Sequence, residues 1–139
     1  MAESETTRRL LDAARDFQIG SQLLAAQSGQ AAFPLRSTIV TRAISIELYL
    51  KYLDVKSTGR SALRTHDLEA LYVRLAPATR NLIDQHYRHA QPIRNVLRTY
   101  KDIFEDWRDL YEHQGNDLLL DWEGLEGVGA ALEAASEVV

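Results

Sequence analysis

Apolar residues recur at intervals of three and four along nearly the whole chain, which is the spacing of α-helices. No stretch alternates apolar and polar residues as a half-buried strand would. Glycine and proline interrupt the pattern at Ser28-Gly29-Gln30, Ala76-Pro77 and Gln91-Pro92. The chain has 139 residues, enough for one domain with a buried core. We therefore expect a single all-α domain over residues 1–139, an antiparallel bundle of five to six helices with its core at about 5–136.

The helix boundaries follow from these breaks and from capping residues. Six helices are predicted. The first three cover residues 5–27, 35–55 and 67–75. The fourth begins at Pro77, the fifth runs from Ile93 to a C-cap at Gly115, and the sixth covers residues 121–137. Thr65 is the expected N-cap of the third helix. The second helix carries apolar residues on more than one face, which predicts that it is central and heavily buried. Three glycines weaken the last helix or permit close packing, namely Gly124, Gly127 and Gly129.

Composition excludes several classes of site. The chain has no cysteine, so disulfides, thiolate metal sites and a cysteine nucleophile are excluded. The first residues are charged and do not resemble a signal peptide. No segment approaches the roughly 20 apolar residues of a membrane span, and we expect a cytoplasmic protein.

Charge is distributed unevenly along the chain. Residues 36–101 contain 12 Lys or Arg against 5 Asp or Glu, whereas residues 102–139 contain 1 Arg against 11 acids. Such asymmetry is typical either of an electrostatic binding face or of an acidic helix that keeps the chain soluble.

Four segments, in their order along the chain, resemble the HEPN family, the nucleotide-binding domains of higher eukaryotes and prokaryotes. They are AISIELYLKYL at 43–53, THDLEALYVRL at 65–75, LIDQHY at 82–87 and FEDWRDLYEH at 104–113. The resemblance covers about residues 10–132. It implies a helical bundle that commonly dimerises. Many members are RNA endonucleases that need no metal and belong to toxin–antitoxin or phage-defence systems, while others have lost catalysis and serve in binding.

Catalytic members of the family carry an arginine, often followed by a polar residue, and then a histidine after four to six intervening residues. Arg108, Asp109 and His113 fit this motif with four intervening residues. A histidine can move a proton near pH 7, and an arginine can stabilise charge on phosphoryl oxygens. We expect Arg108 and His113 to form half of a composite site in a homodimer, without metal or cofactor.

Two other pairs fall within the allowed range, each with five intervening residues. Arg80, followed by Asn81, precedes His86, and Arg60 precedes His66. The late position of Arg108 and His113 favours that pair, with Arg80 and His86 as the second choice.

Arg108 and His113 also have purely structural interpretations. Five residues turn a regular helix by roughly 140° beyond a full turn, so the two side chains do not share a face. Arg108 can instead pair with Glu112, and His113 can complement the helix dipole. Acids surround the pair in sequence, and basic residues from elsewhere would have to offset them.

Three functions therefore remain open. The first is an RNA endonuclease in a toxin–antitoxin or phage-defence system, paired with an antitoxin. The second is a non-catalytic module that binds a partner such as a small nucleotidyltransferase. The third is a structural helical subunit. A composite site, a docking face and a plain scaffold differ in where charged and apolar side chains are exposed.

Overall fold

The computed structural model describes residues 4–27, 29, 34–101 and 122–139, and within these ranges every regular element is an α-helix, as predicted. The helices are α1 (Glu5–Ala25), α2 (Leu35–Thr58), α3 (Leu68–Arg74), α4 (Pro77–His86), α5 (Ile93–Tyr100) and α6 (Trp122–Val138). The all-α bundle is confirmed for this part of the chain.

Helix α2 is the centre of the bundle, also as predicted. It packs against α1, α3 and α6, and α6 further contacts α4 and α5. Its buried side chains cover more than one face of the helix and include Ile39, Ile46, Tyr49, Leu50 and Leu53. A helix packed against three neighbours needs apolar residues beyond a single stripe, which is why its sequence pattern is broad.

Helices α1 and α2 form an antiparallel hairpin. The Ser45 hydroxyl donates to the carbonyl oxygen of Ala14 at 2.8 Å, and Thr41 lies against Gly20. Later residues of α1 therefore meet earlier residues of α2. The side chain of Gln18 extends this contact to α6, since its amide nitrogen donates to Glu133 at 2.9 Å.

Helix α2 is longer than predicted, and its C-terminus shows why. The sequence predicted an end near Val55 and a loop at 56–60, but the helix continues to Thr58. It ends at Gly59, whose φ of 74° is a left-handed conformation that glycine adopts without strain. The hydroxyls of Ser57 and Thr58 bond back to helix carbonyls and support the added turn.

The N-cap of α3 was predicted wrongly. The carboxylate of Asp67 accepts the amide hydrogen of Ala70 at 3.0 Å, so Asp67, and not Thr65, caps the helix. The Thr65 hydroxyl instead accepts the amide hydrogen of Asp67 at 3.1 Å and shapes the turn before the helix. Spacing alone did not separate two capping residues that lie two positions apart.

The glycines of α6 mark close packing, one of their two predicted roles. A Cβ at Gly127 would lie 3.4 Å from the Cβ of His89, and a Cβ at Gly129 would lie 3.0 Å from Nη1 of Arg42. The expected cap at Asp121 and the end of the fifth predicted helix near Gly115 lie outside the described residues. Among the helices that are described, none is long and apolar enough to cross a membrane.

Candidate functional site

The first-choice catalytic residues, Arg108, Asp109 and His113, lie outside the described residues. The other two Arg–His pairs can be placed.

Arg80 and His86 do not form a joint site within one subunit. Both belong to α4, where six residues place the side chains about 120° apart around the axis. No hydrogen bond or ion pair joins the two in the described part of the chain. Arg80 instead lies close enough to Tyr72 of α3 to influence its hydroxyl electrostatically.

Arg60 and His66 are held by two buried carboxylates of α2. Nη2 of Arg60 lies 2.8 Å from Oδ1 of Asp54, and Nδ1 of His66 lies 2.8 Å from Oε1 of Glu47. Lys51 completes the second group at 3.1 Å from Glu47, one helical turn earlier. These contacts fix the 59–67 connection onto α2, so Arg60 and His66 have a structural role.

A crevice of about 410 Å³ lies where α3, α4 and the start of α5 meet. Its polar lining comes from Tyr72, Asp84, His89 and Arg94, and its apolar wall from Tyr87, Ala90, Pro92 and Ile93. The crevice is open to solvent, and its size falls within the range of small-ligand sites.

The 87–92 connection that forms the crevice wall is ordered by its own hydrogen bonds. The hydroxyl of Tyr87 donates to the carbonyl oxygen of Gln91. Nδ1 of His89 accepts the amide hydrogen of Gln91 at 3.1 Å, which leaves Nε2 as the protonated nitrogen of the neutral ring. The two rings lie 6.3 Å apart between centroids, and Gly127 of α6 lets both approach the bundle closely. The wall is therefore a formed surface with flat apolar faces and a donor.

A hydrogen bond between Tyr72 and Asp84 closes one side of the crevice. The Tyr72 hydroxyl donates to Oδ1 of Asp84 at 2.7 Å. Burial and this carboxylate raise the pKa of Tyr72 above its ordinary range, against the cations Arg80 and Arg94. Tyr72 therefore stays a neutral donor under ordinary conditions and does not act as a base.

Arg94 links the crevice to a charged cluster between α3 and α5. Arg98 donates to Glu69 through Nε at 3.2 Å and through Nη2 at 2.7 Å, and Nε of Arg94 lies 3.6 Å from the same carboxylate. The hydrogen bond from Arg98, followed by the charges of Arg98, Arg94 and Lys101, lowers the pKa of Glu69. Three cations thus surround one carboxylate.

The chemistry of the crevice is that of its described lining side chains. No group of three or more His, Asp or Glu side chains within the described ranges is placed to hold a metal ion. The crevice offers one cationic donor, Arg94, together with a carboxylate and flat rings, which can bind an anion with an aromatic part. The arginine–histidine motif does not include Tyr72, His89 or Arg94, so the sequence did not predict this crevice. The Gln91-Pro92 break was the one local signal of a formed turn there.

Comparison of the chain with protein-family models, curated proteins and solved structures finds no match.

Proposed function

We propose that this chain is an HEPN-like domain that acts as a metal-independent RNA endonuclease in a toxin–antitoxin or phage-defence system. Two copies form the active dimer. Arg108 stabilises the charge on the phosphate, His113 transfers the proton, and Asp109 occupies the polar position of the motif.

The contact between Glu47 and His66 is the observation that carries this proposal. Glu47 belongs to AISIELYLKYL and His66 to THDLEALYVRL, two of the segments on which the HEPN resemblance rests. Their side chains meet at 2.8 Å, and Glu47 is only 7% exposed. Two segments separated along the sequence thus meet through a buried carboxylate and a partly exposed histidine, which supports a shared architecture behind the resemblance.

The contacts of Arg60 and His66 argue against that pair as the active site, because both side chains are engaged by buried carboxylates. Arg80 and His86 diverge around α4, as Arg108 and His113 would on a regular helix, so a dimer would be needed to complete either site. The proposed chemistry rests on Arg108 and His113, with Arg80 and His86 as the second choice.

The reaction needs few groups. A 2′-hydroxyl attacks the adjacent phosphorus, a histidine accepts the hydroxyl proton, and the bond to the 5′-oxygen breaks. A second histidine protonates that leaving oxygen, and the products are a 2′,3′-cyclic phosphate and a free 5′-hydroxyl. Arginine guanidinium groups bind the phosphoryl oxygens as charge builds on them. One chain supplies one pair, so two chains supply both proton-transfer groups.

The test is cleavage of RNA by purified protein in EDTA. We expect the wild type to cleave, and the variants Arg108→Ala and His113→Ala each to lose cleavage at an unchanged oligomeric state. Arg80→Ala and His86→Ala serve as matched controls and should retain cleavage. Loss only in the control pair would move the site to α4, and a wild type inactive on total cellular RNA would contradict the nuclease proposal.

A second candidate function, a binding module for a protein partner, is favoured by the outer face of α1. Ile19 is 55% exposed and Leu23 is 66% exposed, and the two lie one turn apart on the side away from α2. Exposed apolar residues that adjoin one another contribute to the apolar patches by which proteins bind partners. Co-purification with a co-expressed small nucleotidyltransferase, lost in an Ile19→Ser/Leu23→Ser variant, would support this function.

A further inference from the structure

Helix α5 carries a basic stripe formed by Arg94, Arg98 and Lys101. The spacing of four and three places these residues on one side of the helix, next to its buried face. The side chains of Arg94 and Arg98 are 55% and 56% exposed. The stripe is therefore accessible along the length of α5.

Glu69 orients the stripe without cancelling its charge. Its carboxylate receives two donors from Arg98 and lies 3.6 Å from Nε of Arg94. Guanidinium groups that are held in place lose less conformational freedom when they bind an anion. Residues 68–101 contain six Lys or Arg against two Asp or Glu, so this region keeps an excess of positive charge.

The crevice adjoins this stripe, because Arg94 belongs to both. Tyr87 and His89 provide tilted rings in its wall, and Pro92 and Ile93 add apolar surface. Aromatic rings beside a basic groove are the combination by which proteins bind single-stranded nucleic acids: cations follow the phosphates and bases stack on rings.

We infer that a single RNA strand docks along α5, with its phosphates on Arg94, Arg98 and Lys101 and one base in the crevice against Tyr87 and His89. The choice of RNA as the ligand rests on the proposed function. This docking track, formed by α5 and the crevice, uses residues other than Arg108 and His113 and would position the strand that they cut.

The role of the basic stripe is tested by measuring the affinity of the protein for a fluorescein-labelled single-stranded RNA. Binding is monitored by fluorescence anisotropy in EDTA. The RNA has about 12 nucleotides, a length within the range of known single-strand binding sites. An Arg108→Ala background prevents cleavage during the measurement. We expect Arg94→Gln/Arg98→Gln to weaken binding about tenfold and to reduce the slope of log K against log salt by about 1.4, since each phosphate contact on a single strand contributes about 0.7.

The matched control is Arg8→Gln/Arg9→Gln, which removes the same charge from exposed positions of α1. It should leave the salt slope unchanged. If both double variants lose RNA affinity to the same extent, binding depends only on the net charge of the protein, and the inference is overturned. Helicity and thermal unfolding of each variant establish that it is folded.

The crevice is tested separately by Ala90→Trp, which places a large side chain at the crevice lining. We expect a several-fold loss of affinity with an unchanged salt slope, because a base is excluded and the phosphate contacts remain. Ala78→Trp, at an exposed position of α4, is the control. Unchanged RNA affinity in Ala90→Trp would overturn the placement of a base in the crevice. The same would follow if poly-glutamate displaced the RNA when added at the same concentration of negative charge.

These outcomes separate the docking track from the nuclease proposal. Binding that depends on Arg94 and Arg98 in a protein that cleaves no RNA would support the track and remove the nuclease. If the wild type cleaves RNA but Arg94→Gln/Arg98→Gln binds RNA as tightly as the protein without these substitutions, the nuclease proposal would be supported and the docking track would be overturned. A wild type that binds no RNA in EDTA would overturn the track.

Discussion

The two halves of α2 bury opposite charges in different ways. Near its C-terminus, Asp54 is 2% exposed and contacts two arginines, whereas nearer its N-terminus Arg42 is 4% exposed and has no direct carboxylate contact among the described residues. Both side chains lie in the same helix at similar depth. The comparison separates a buried charge that organises its surroundings from one that is only accommodated.

Asp54 binds arginines from two segments of the chain, the loop after α2 and helix α3. Arg60 approaches it from the loop after α2, and Nε of Arg74 in α3 lies 3.0 Å from Oδ2, near enough for an ion pair though not aligned for a hydrogen bond. Arg60 and Arg74 also donate to the carbonyl oxygens of Arg74 and Ser61. The carboxylate therefore fixes the direction in which the chain leaves α2.

Arg42 is stabilised by diffuse contacts. Its guanidinium carbon lies 6.0 Å from the Trp122 ring centroid, and its Nε has no hydrogen-bond partner in the described part of the chain. Burial lowers the pKa of Arg42, while the more distant carboxylates of Glu126 and Glu133 oppose that shift. The same depth of burial therefore has different consequences at the two positions. At Asp54 the paired charge contributes structural specificity, whereas at Arg42 the charge, which is unpaired within the described ranges, carries a desolvation cost.

Removing the carboxylate at Asp54 should have the largest effect. We expect Asp54→Ala to lower the free energy of unfolding by about 3 kcal/mol, because it leaves Arg74 partly buried without a counter-charge. Urea unfolding followed by circular dichroism measures the change. Asp12→Ala, at an exposed position of α1, is the control and should change stability by less than about 0.5 kcal/mol.

The second-largest expected effect is a decrease in the free energy of unfolding at alkaline pH, caused by Tyr49. This residue lies in α2, between Arg42 and Asp54 in the sequence. Burial, together with the charge of Glu133, raises the pKa of Tyr49 to about 12. The folded protein then keeps a proton that the unfolded chain releases, so stability falls as pH rises from about 10 to about 12, by about 2 kcal/mol.

The Tyr49→Phe variant checks this assignment. It should be less stable at neutral pH by about 1 kcal/mol, because Gln18 loses the hydroxyl that donates to it. It should also lose less stability between pH 10 and 12 than the wild type does. An unchanged alkaline slope in the variant would assign the effect to other groups, with Tyr72 the first to examine because its pKa is also raised.

Replacing Arg42 should have a smaller effect of opposite sign. We expect Arg42→Met to raise the free energy of unfolding by about 1 kcal/mol, because the variant keeps much of the side-chain volume and removes the cost of burying a charge. Arg42→Lys keeps the charge and should give no gain. A loss above about 2 kcal/mol in Arg42→Met would show that the contact with Trp122 outweighs desolvation.

The smallest effect distinguishes two glycines of α6. Gly127→Ala should stabilise the protein by about 0.5–1 kcal/mol, since alanine favours the helix and its Cβ meets His89 at ordinary contact distance. Gly129→Ala should give no gain, because its Cβ would lie 3.0 Å from the buried guanidinium of Arg42. In an Arg42→Met background the two alanine variants should become more alike, as thermal unfolding would show.

Local patterns were sufficient to predict the helices. The apolar spacing in α2 predicted a central, buried helix, and Pro77 correctly marked the start of α4, because both signals act within a few residues. Local signals failed where neighbouring residues compete for one role, as Thr65 and Asp67 did for the cap of α3.

By itself, then, the sequence determined the all-α class, the central place of α2 and most helix boundaries in the described chain, since each depends on short-range periodicity. Only the tertiary structure decided the partners of the charged side chains. His66 meets Glu47, Arg98 meets Glu69, and Tyr72 meets Asp84 across different elements. Because such contacts depend on how helices pack, no spacing along the chain could have brought Tyr72, His89 and Arg94 together around one crevice.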